Sequence, residues 1–294
     1  MKNVINYYYN LYPNSIYQVK GGYYFFINKV RYFFVKYNNE FNDIKKVYDL
    51  HLDLLSKNIY VHPIILNKQN QIMTMVSGEY YILLMTVYYN NAIGLKNIMS
   101  FSSLQVNNNF NDWGKLWADK NDYLEYQINM LGRNYLILRD SFSYFLGMGE
   151  LAIQLFNSLE RTVCPLTLSH RRIRFTDTFY EFYNPFNVLF DYRVRDIAEY
   201  LKSKFFSGFS IENDLIYYFN NIRLSSYEYI LFLIRMIYPT YYFDMFEEVI
   251  NNKVDEEKVC DIIKKISEYE NIIKKIYQYF RSFLFIPTIE WFEL

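Results

Sequence analysis

The most informative stretches of this sequence are Leu168-Ser-His-Arg-Arg-Ile-Arg174 and Leu189-Phe-Asp-Tyr-Arg-Val-Arg-Asp196. Together they place five guanidinium groups close to one another along the chain. Since buried arginines are normally paired, the sequence predicts that acidic neighbours neutralise this cluster. The alternative is a site for an anionic ligand, because the planar fork of arginine fits carboxylate and phosphate. The nearby acidic residues are Asp177, Glu181, Asp191, Asp196 and Glu199.

Length and composition narrow the class of protein. A chain of 294 residues with 52% hydrophobic residues suffices for one large domain or two lobes with a sizeable core. The 31 basic and 31 acidic residues balance, which argues against a nucleic-acid partner or an anionic membrane surface. The two cysteines, Cys164 and Cys260, cannot form a disulfide framework, and their scarcity fits a reducing compartment.

No segment of the sequence predicts membrane insertion or export. The first residues, 1–9, lack the apolar core of a signal peptide. The longest apolar runs, 80–89 and 229–236, are too short to span a bilayer, and the second includes Arg235. We therefore predict a soluble cytoplasmic protein.

The N-terminal part of the sequence is typical of a small sheet with one helix. Three runs rich in aromatic and β-branched residues fill 15–37, and turn signals at Gly21-Gly22 and Asn28-Lys29 separate them, which predicts a β-meander. Apolar residues at three- and four-residue spacing then predict an amphipathic helix over Glu40–Lys57. Two further strands and a connector follow within 61–86.

Further along the chain the apolar spacing becomes helical. Phe142–Leu159 carries its large apolar residues on one side, and Asp255–Phe283 is typical of a long helix or a helical hairpin. Ser225 and Glu228 have the spacing of a capping box before an apolar run. Asp196 is expected to cap a helix over 197–204. Because no repeat or flexible linker separates the two parts, we expect two lobes of one unit, 1–88 and 89–294.

The order of these elements and four short stretches resemble a known family. The stretches are Tyr144–Gln154, Leu168–Ile173, Asp191–Tyr200 and Pro239–Asp244, and the resemblance runs over most of the chain. It is to the spore-coat-associated kinase-like proteins of endospore-forming bacteria, the CotS and YutH group, within the aminoglycoside phosphotransferase branch of protein-kinase-like folds. The resemblance implies an α+β fold of two lobes, with a small antiparallel-sheet N-lobe and a helical C-lobe that carries a degenerate catalytic loop.

The resemblance also assigns roles to residues of that loop. His170 would order the loop by hydrogen bonding, although a buried histidine with satisfied hydrogen bonds explains the same residue. Arg172 stands where kinase-like enzymes place the aspartate that accepts the hydroxyl proton, and Asp177 falls where the metal-binding asparagine lies. Asp191 keeps the place of the aspartate that holds Mg²⁺. Its alternative is a salt bridge with one of the two arginines that follow it.

For a nucleotide, the resemblance points to residues of the predicted sheet. Lys36 would contact the α- and β-phosphates of ATP and pair with a carboxylate such as Glu40 or Asp53. A solvated lysine at the end of a strand is the alternative. Glu79 and Tyr81 lie in a run that would bind adenine through its backbone. ATP and Mg²⁺ are therefore the cofactors that the resemblance implies.

Arg172 decides between the functions that this resemblance allows. A guanidinium cannot accept a proton at ordinary pH, whereas a general base supplies about 10²- to 10⁴-fold of the rate. We therefore predict a pseudokinase, a structural or interaction component of the spore coat, with protein partners, located in the mother-cell cytoplasm and then in the coat. The alternatives are an active ATP-dependent small-molecule or protein kinase that uses an unusual base, and an unrelated α+β binding protein.

Overall fold

The computed structural model describes residues 1–38, 41–86, 90–107 and 110–293 and, among these, all side chains except those of 41, 42 and 105–107. By its contacts the chain divides into an N-terminal unit, residues 1–93 with 177–188, and a C-terminal unit, residues 94–176 with 189–294. The predicted lobe boundary at residue 88 lies outside the described residues, as does Glu40, the predicted first residue of the helix after the meander.

An antiparallel sheet forms the framework of the N-terminal unit. In chain order, its first elements are α1 (Lys2–Tyr9), β1 (Ile16–Val19), β2 (Gly22–Ile27), β3 (Val30–Tyr37), α2 (Phe41–Ser56), β4 (Ile64–Ile65), β5 (Thr74–Val76) and β6 (Glu79–Thr86). The strand order is β1-β2-β3-β6-β4, with β5 paired to β6. The predicted meander and the helix after it are confirmed. The sequence patterns do not predict α1.

Local backbone geometry explains the tight hairpins of this sheet. Asn28 and Lys29, between β2 and β3, have φ angles of 48° and 68°. Positive φ at both central positions is typical of the two-residue turn whose twist matches that of paired strands. Gly21, between β1 and β2, has a φ of 84°, and its carbonyl accepts a 2.8 Å hydrogen bond from the backbone N–H of Lys36. The two glycines at 21 and 22 therefore form a hairpin turn that is tied to β3.

The two faces of β3 pack against different helices. Phe33 and Tyr37 lie in one buried cluster with Ile44 of α2. Phe34 lies in another buried cluster, with Ile5 of α1. Because successive side chains of a strand alternate between its faces, Lys36 shares the face of Phe34 and points away from α2.

The C-terminal unit is mostly helical. In chain order, the remaining elements are α3 (Leu95–Phe101), β7 (Gln105–Asn107), α4 (Trp113–Leu131), α5 (Leu136–Ser158), β8 (Leu166–His170), α6 (Phe179–Phe182), β9 (Val188–Tyr192), α7 (Val194–Phe206), α8 (Glu212–Asn221), α9 (Ser226–Ile237), α10 (Thr240–Ile250), α11 (Val259–Ile263) and α12 (Ile266–Arg281). Of these, α6 belongs to the N-terminal unit. Strands β7, β8 and β9 form a small sheet. Among the described residues, no helix is long and apolar enough to cross a membrane.

Helix α9 lies within the core of the C-terminal unit. Its residues Leu231–Ile237 are all buried, as expected of a helix that is surrounded on every side. At its start, the Ser225 hydroxyl accepts a 3.3 Å hydrogen bond from the backbone N–H of Glu228, and the Glu228 carboxylate accepts one of 2.8 Å from the backbone N–H of Ser225. This confirms the predicted capping box. Arg235 belongs to the buried run, so α9 carries a cation into the core.

Two helix predictions differ from the structure. Asp255 caps a short 3₁₀ turn, Glu256–Lys258, and two separate helices, α11 and α12, follow where one long helix or a hairpin was expected. The prediction that Asp196 caps a helix is wrong. Helix α7 begins at Val194, and the Asp196 carboxylate, in the first turn, accepts a hydrogen bond from the backbone N–H of His170 instead.

Candidate functional site

His170, the last residue of β8, is held by the first turn of α7. Its backbone N–H donates to Asp196 Oδ1 at 3.1 Å, and its Nδ1 lies 2.6 Å from Asp196 Oδ2. The ring stacks on Phe101 of α3 with 4.9 Å between ring centroids, and the whole side chain is buried. These contacts fix the start of the arginine-rich loop. A role of His170 in ordering this loop for catalysis stays a prediction.

Asp191 lies near the end of β9, and its carboxylate is fully engaged. The indole N–H of Trp113 donates to Oδ1 at 2.9 Å, and the backbone N–H of Tyr192 donates to the same oxygen at 2.8 Å. The guanidinium of Arg195, one helical turn further along the chain, forms an ion pair with Oδ2. Only 2% of the Asp191 side chain is exposed. The salt bridge considered in the sequence analysis is therefore present in the structure.

Arg172, in the loop after β8, is paired with a carboxylate of α10. Its guanidinium donates to both oxygens of Asp244. Burial raises the pKa of the Asp244 carboxyl above its usual value, although Arg172 acts in the opposite direction. The position that the resemblance gives to a catalytic base therefore holds a cation in an ion pair.

Most of the other arginines of these two stretches are also neutralised. Arg193 forms an ion pair with Glu228 of α9, and a nitrogen of Arg174 lies 3.5 Å from Glu248 of α10. Arg171 is exposed, and none of the described carboxylates pairs with it. The predicted neutralisation thus holds for four of the five guanidinium groups. Apart from Asp191, the acidic partners are not the ones that the sequence suggested.

A cavity of about 420 Å³ lies within the C-terminal unit, and Arg171, Arg172, Arg174 and Arg195 are among the residues that line it. Cations dominate its lining, with six basic residues against two carboxylates. The carboxylates are Glu199 and Asp244. Aromatic rings line the cavity beside these charges. The basic residues are Lys120, Arg171, Arg172, Arg174, Arg195 and Arg235.

A buried ionic cluster forms one wall of this cavity. Arg235 Nε donates to Glu199 at 2.6 Å, and Lys202 Nζ lies 2.8 Å from the same carboxylate. The guanidinium of Arg235 also lies 5.0 Å from the ring centroid of Trp113. Although burial acts to raise it, the two cations hold the pKa of Glu199 at about 2. Burial lowers the pKa of Lys202 to about 8, although Glu199 acts against this shift. Two buried cations thus share one carboxylate.

The residues predicted to bind nucleotide lie in the N-terminal unit. Lys36 forms a 2.9 Å ion pair with Glu79 of β6, and this hydrogen bond raises the pKa of Lys36. Tyr81 stacks on Phe34 with 4.7 Å between ring centroids. The suggested pairing of Lys36 with Asp53 is wrong, because Asp53 pairs with Lys57, the residue that follows α2, and Lys36 points away from α2. The other suggested partner, at position 40, lies outside the described residues.

Asp177 also belongs to the N-terminal unit. Its backbone carbonyl accepts a 3.2 Å hydrogen bond from the backbone N–H of Ile93. The structure thus brings His170, Arg172 and Asp191 together in the C-terminal unit and places Asp177 in the other. Within the described part of the chain, no three histidine, cysteine or acidic side chains are grouped so that they could hold a metal ion.

The sequence matches a family model over nearly its whole length. The model, described as "Spore coat putative kinase YutH", matches residues 2–280. The chain belongs to this family. Among curated proteins, no match was found.

Several solved structures share the fold. An aminoglycoside phosphotransferase from Alicyclobacillus acidocaldarius is 11% identical with a TM-score of 0.68, and the alignment covers 96% of each chain. A spectinomycin phosphotransferase in complex with ADP and spectinomycin is 10% identical with a TM-score of 0.57, covering 90% of this chain and 92% of the other. An amicoumacin kinase in complex with AMP-PNP and Ca²⁺ is 12% identical with a TM-score of 0.52, covering 90% and 91%. This chain therefore has the protein-kinase-like fold of the aminoglycoside phosphotransferases.

Sequence reasoning missed the acidic partners of the arginines that are distant along the chain. Asp244 lies 72 residues after Arg172, and Glu228 lies 35 residues after Arg193. The apolar run of α9 carried a signal for Arg235 alone, because an arginine in a fully buried helix requires partners on the neighbouring helices. Lys120 and the two tryptophans of α4 carry no such signal.

Proposed function

We propose that this member of the spore-coat family is a pseudokinase, which transfers no phosphate and acts as a structural or interaction component during sporulation. The observation that carries this proposal is the state of Asp191. Its carboxylate is buried and engaged by Trp113, by the Tyr192 backbone and by Arg195. In kinase-like enzymes the equivalent aspartate holds Mg²⁺ on the phosphates of the nucleotide.

Magnesium does not fit this arrangement. The ion requires near-octahedral coordination by oxygens at about 2.0–2.1 Å, and it usually takes one or two carboxylates together with water and phosphate. At Asp191 the ion pair with Arg195 occupies Oδ2, and two N–H donors occupy Oδ1. Binding a dication there would displace a guanidinium whose charge is already buried, which is strongly unfavourable. We therefore derive no step through Mg²⁺ for this chain.

The loop after β8 supports the same proposal. Arg172 cannot accept a proton, and its ion pair with Asp244 holds it in place. In the other unit, Lys36 lies on the face of β3 that points away from α2 and is neutralised by Glu79. Kinase-like enzymes instead use this lysine on the phosphates and pair it with a helix carboxylate. Three separate parts of the phosphotransfer machinery are thus altered in this chain.

A phosphotransfer assay tests the proposal. Purified protein is incubated with γ-labelled ATP and Mg²⁺, with water and with a panel of hydroxyl substrates as acceptors. We expect labelled product no faster than with heat-inactivated protein, and the same for the Asp191→Ala variant. Transfer by the native chain that Asp191→Ala abolishes would overturn the proposal.

One observation favours the alternative of an active kinase with an unusual base. Asp244 is a partly buried carboxyl in the cavity beside Arg172, and burial raises its pKa. A raised pKa brings a carboxyl closer to the range in which general bases work. If the native chain proves active in the phosphotransfer assay, the Asp244→Asn variant tests this base. Activity that depends on Asp244 is lost in the variant, whereas activity from a contaminating kinase remains.

A further inference from the structure

Although carboxylates pair with five of the six basic residues that line the cavity of the C-terminal unit, the cavity keeps a surplus of positive charge. Glu199 is shared by Arg235 and by Lys202. Arg171 lines the cavity, is exposed and pairs with no carboxylate in the described part of the chain. A concave wall with surplus cations focuses a positive potential and attracts anions. Because guanidinium groups present planar forks of donors, carboxylate and phosphate are the groups that fit.

An exposed apolar stripe leads away from this cavity along α4. Leu116 lines the cavity, and its side chain is 63% exposed. Tyr123 and Met130 follow at seven-residue intervals and are 45% and 65% exposed. Residues seven apart lie on the same face of a helix. Between them, Lys120 lines the cavity and lies 5.4 Å from the ring centroid of Tyr123, so the cationic and apolar surfaces are continuous.

The length of this surface indicates the kind of ligand. From Leu116 to Met130 the helix rises about 20 Å, at about 1.5 Å per residue. A small anion would contact the arginines and leave the apolar stripe bare. A peptide can place an acidic side chain in the cavity and its apolar side chains along the helix, which uses both features.

We propose that the arginine-lined cavity and the Leu116–Tyr123–Met130 stripe form one docking surface for an acidic, apolar peptide segment of another protein. This inference rests on the proposed function as an interaction component. The acidic side chain of the partner pairs with Arg171, and the exposed Arg174 adds a second cation beside it while Glu248 remains its internal partner. Apolar side chains of the partner cover the stripe on α4. Arg195 and Arg235 supply the positive potential from the buried side and keep their internal partners.

The test is a selection of random displayed peptides on the full-length protein. We expect the recovered peptides to combine aspartate or glutamate with leucine, isoleucine or aromatic residues. Synthetic fluorescein-labelled copies are then titrated by fluorescence polarisation. Because the loss of a charge-assisted hydrogen bond is worth about 1.4 kcal/mol or more, the Arg171→Ala/Arg174→Ala protein should bind them at least about tenfold more weakly. Leu116→Gln/Met130→Gln should weaken binding several-fold.

Control substitutions of exposed residues outside this surface show whether the loss of peptide binding is specific to it. Arg139→Ala removes an exposed arginine of α5 that also pairs with a carboxylate, and Ile216→Gln removes a 60% exposed aliphatic residue of α8. Both should bind the peptides within about twofold of the native protein. If the double arginine variant does not fold, Arg171→Glu provides the same test, because this exposed side chain makes no ion pair with a described residue.

Three outcomes overturn the inference. The first is a selection that recovers no peptide above the library background. The second is peptide binding that the Arg171/Arg174 and Leu116/Met130 variants leave unchanged. The third is an Arg171-dependent thermal stabilisation by citrate or inorganic phosphate without any peptide binding, which would show a small-anion site. The peptide experiment measures binding alone. A positive phosphotransfer assay would therefore overturn the pseudokinase proposal but would leave the docking proposal to be tested by peptide binding.

Discussion

Asp191 uses its negative charge inside the protein, where it neutralises Arg195. We expect Asp191→Asn to destabilise the chain by about 3 kcal/mol, because removing one partner of a buried ion pair leaves the other charge uncompensated. If Asp191 were instead kept for metal binding, Asp191→Asn would stabilise the chain, because charges in active sites commonly reduce stability. Urea unfolding measures the difference.

An exposed ion pair provides the control for this experiment. Asp140 pairs with the adjacent Arg139, and its side chain is 68% exposed. Asp140→Asn should therefore leave stability nearly unchanged. An Asp191→Asn protein as stable as the native chain, or more stable, would contradict the structural role of Asp191.

His62 in the N-terminal unit should make stability depend on pH. It is fully buried, and burial lowers its pKa from 6.5 to about 4. Between these two values the unfolded chain binds a proton that the folded chain does not bind, so stability falls as the pH falls from about 6.5 toward 4. The loss at pH 5 should reach about 2 kcal/mol.

The His62→Gln variant isolates this effect from the titration of carboxylates. Unfolding free energies of both proteins are measured in urea at pH 7 and pH 5. We expect the native chain to lose about 2 kcal/mol more than the variant between these values. Equal losses in the two proteins would show that folding does not lower the pKa of His62 and would contradict this prediction.

At the scale of elements, local signals explain what the sequence predicts well. The turn at Asn28 and Lys29 and the capping box at Ser225 depend on neighbouring residues alone. The ion pair of Asp191 with Arg195 spans one helical turn, so the sequence suggested it as an alternative. Partners such as Asp244 could not be predicted, because only the packing of α10 against the loop after β8 brings them close.

At the scale of elements, stability should depend on the buried ionic cluster between α7, α9 and α10. Glu199 forms ion pairs with both Lys202 and Arg235, and the Thr240 hydroxyl donates to it at 2.6 Å. Glu199→Gln should destabilise the protein by about 3–5 kcal/mol, since two cations remain buried without a counter-charge. Thermal unfolding of purified variants measures this loss.

The exposed ion pair of Glu212 with Lys275 serves as the comparison. Both side chains are more than half exposed, so Glu212→Gln should change the melting temperature very little. Similar melting temperatures for Glu199→Gln and Glu212→Gln would mean that the cluster between α7, α9 and α10 is hydrated and contributes little.

At the scale of the whole molecule, the chain has the protein-kinase-like fold of the aminoglycoside phosphotransferases, and the loss of phosphotransfer is our proposal. The family match and the three solved structures establish the fold. Core packing stabilises this fold, because α9 and the sheet of the N-terminal unit bury large apolar surfaces. The fold therefore does not by itself establish an activity for this chain.

Magnesium-dependent nucleotide binding tests the central claim most directly. The melting temperature of the native chain is measured with saturating ATP, once with Mg²⁺ and once with EDTA, and again for Asp191→Asn. A ligand at 100 times its dissociation constant stabilises a protein by about 2.7 kcal/mol, so metal-dependent binding is readily detected. Because Arg195 occupies the Asp191 carboxylate, we expect Mg²⁺ to add no stabilisation in either protein. A shift of several degrees that requires Mg²⁺ in the native chain and disappears in Asp191→Asn would contradict the account.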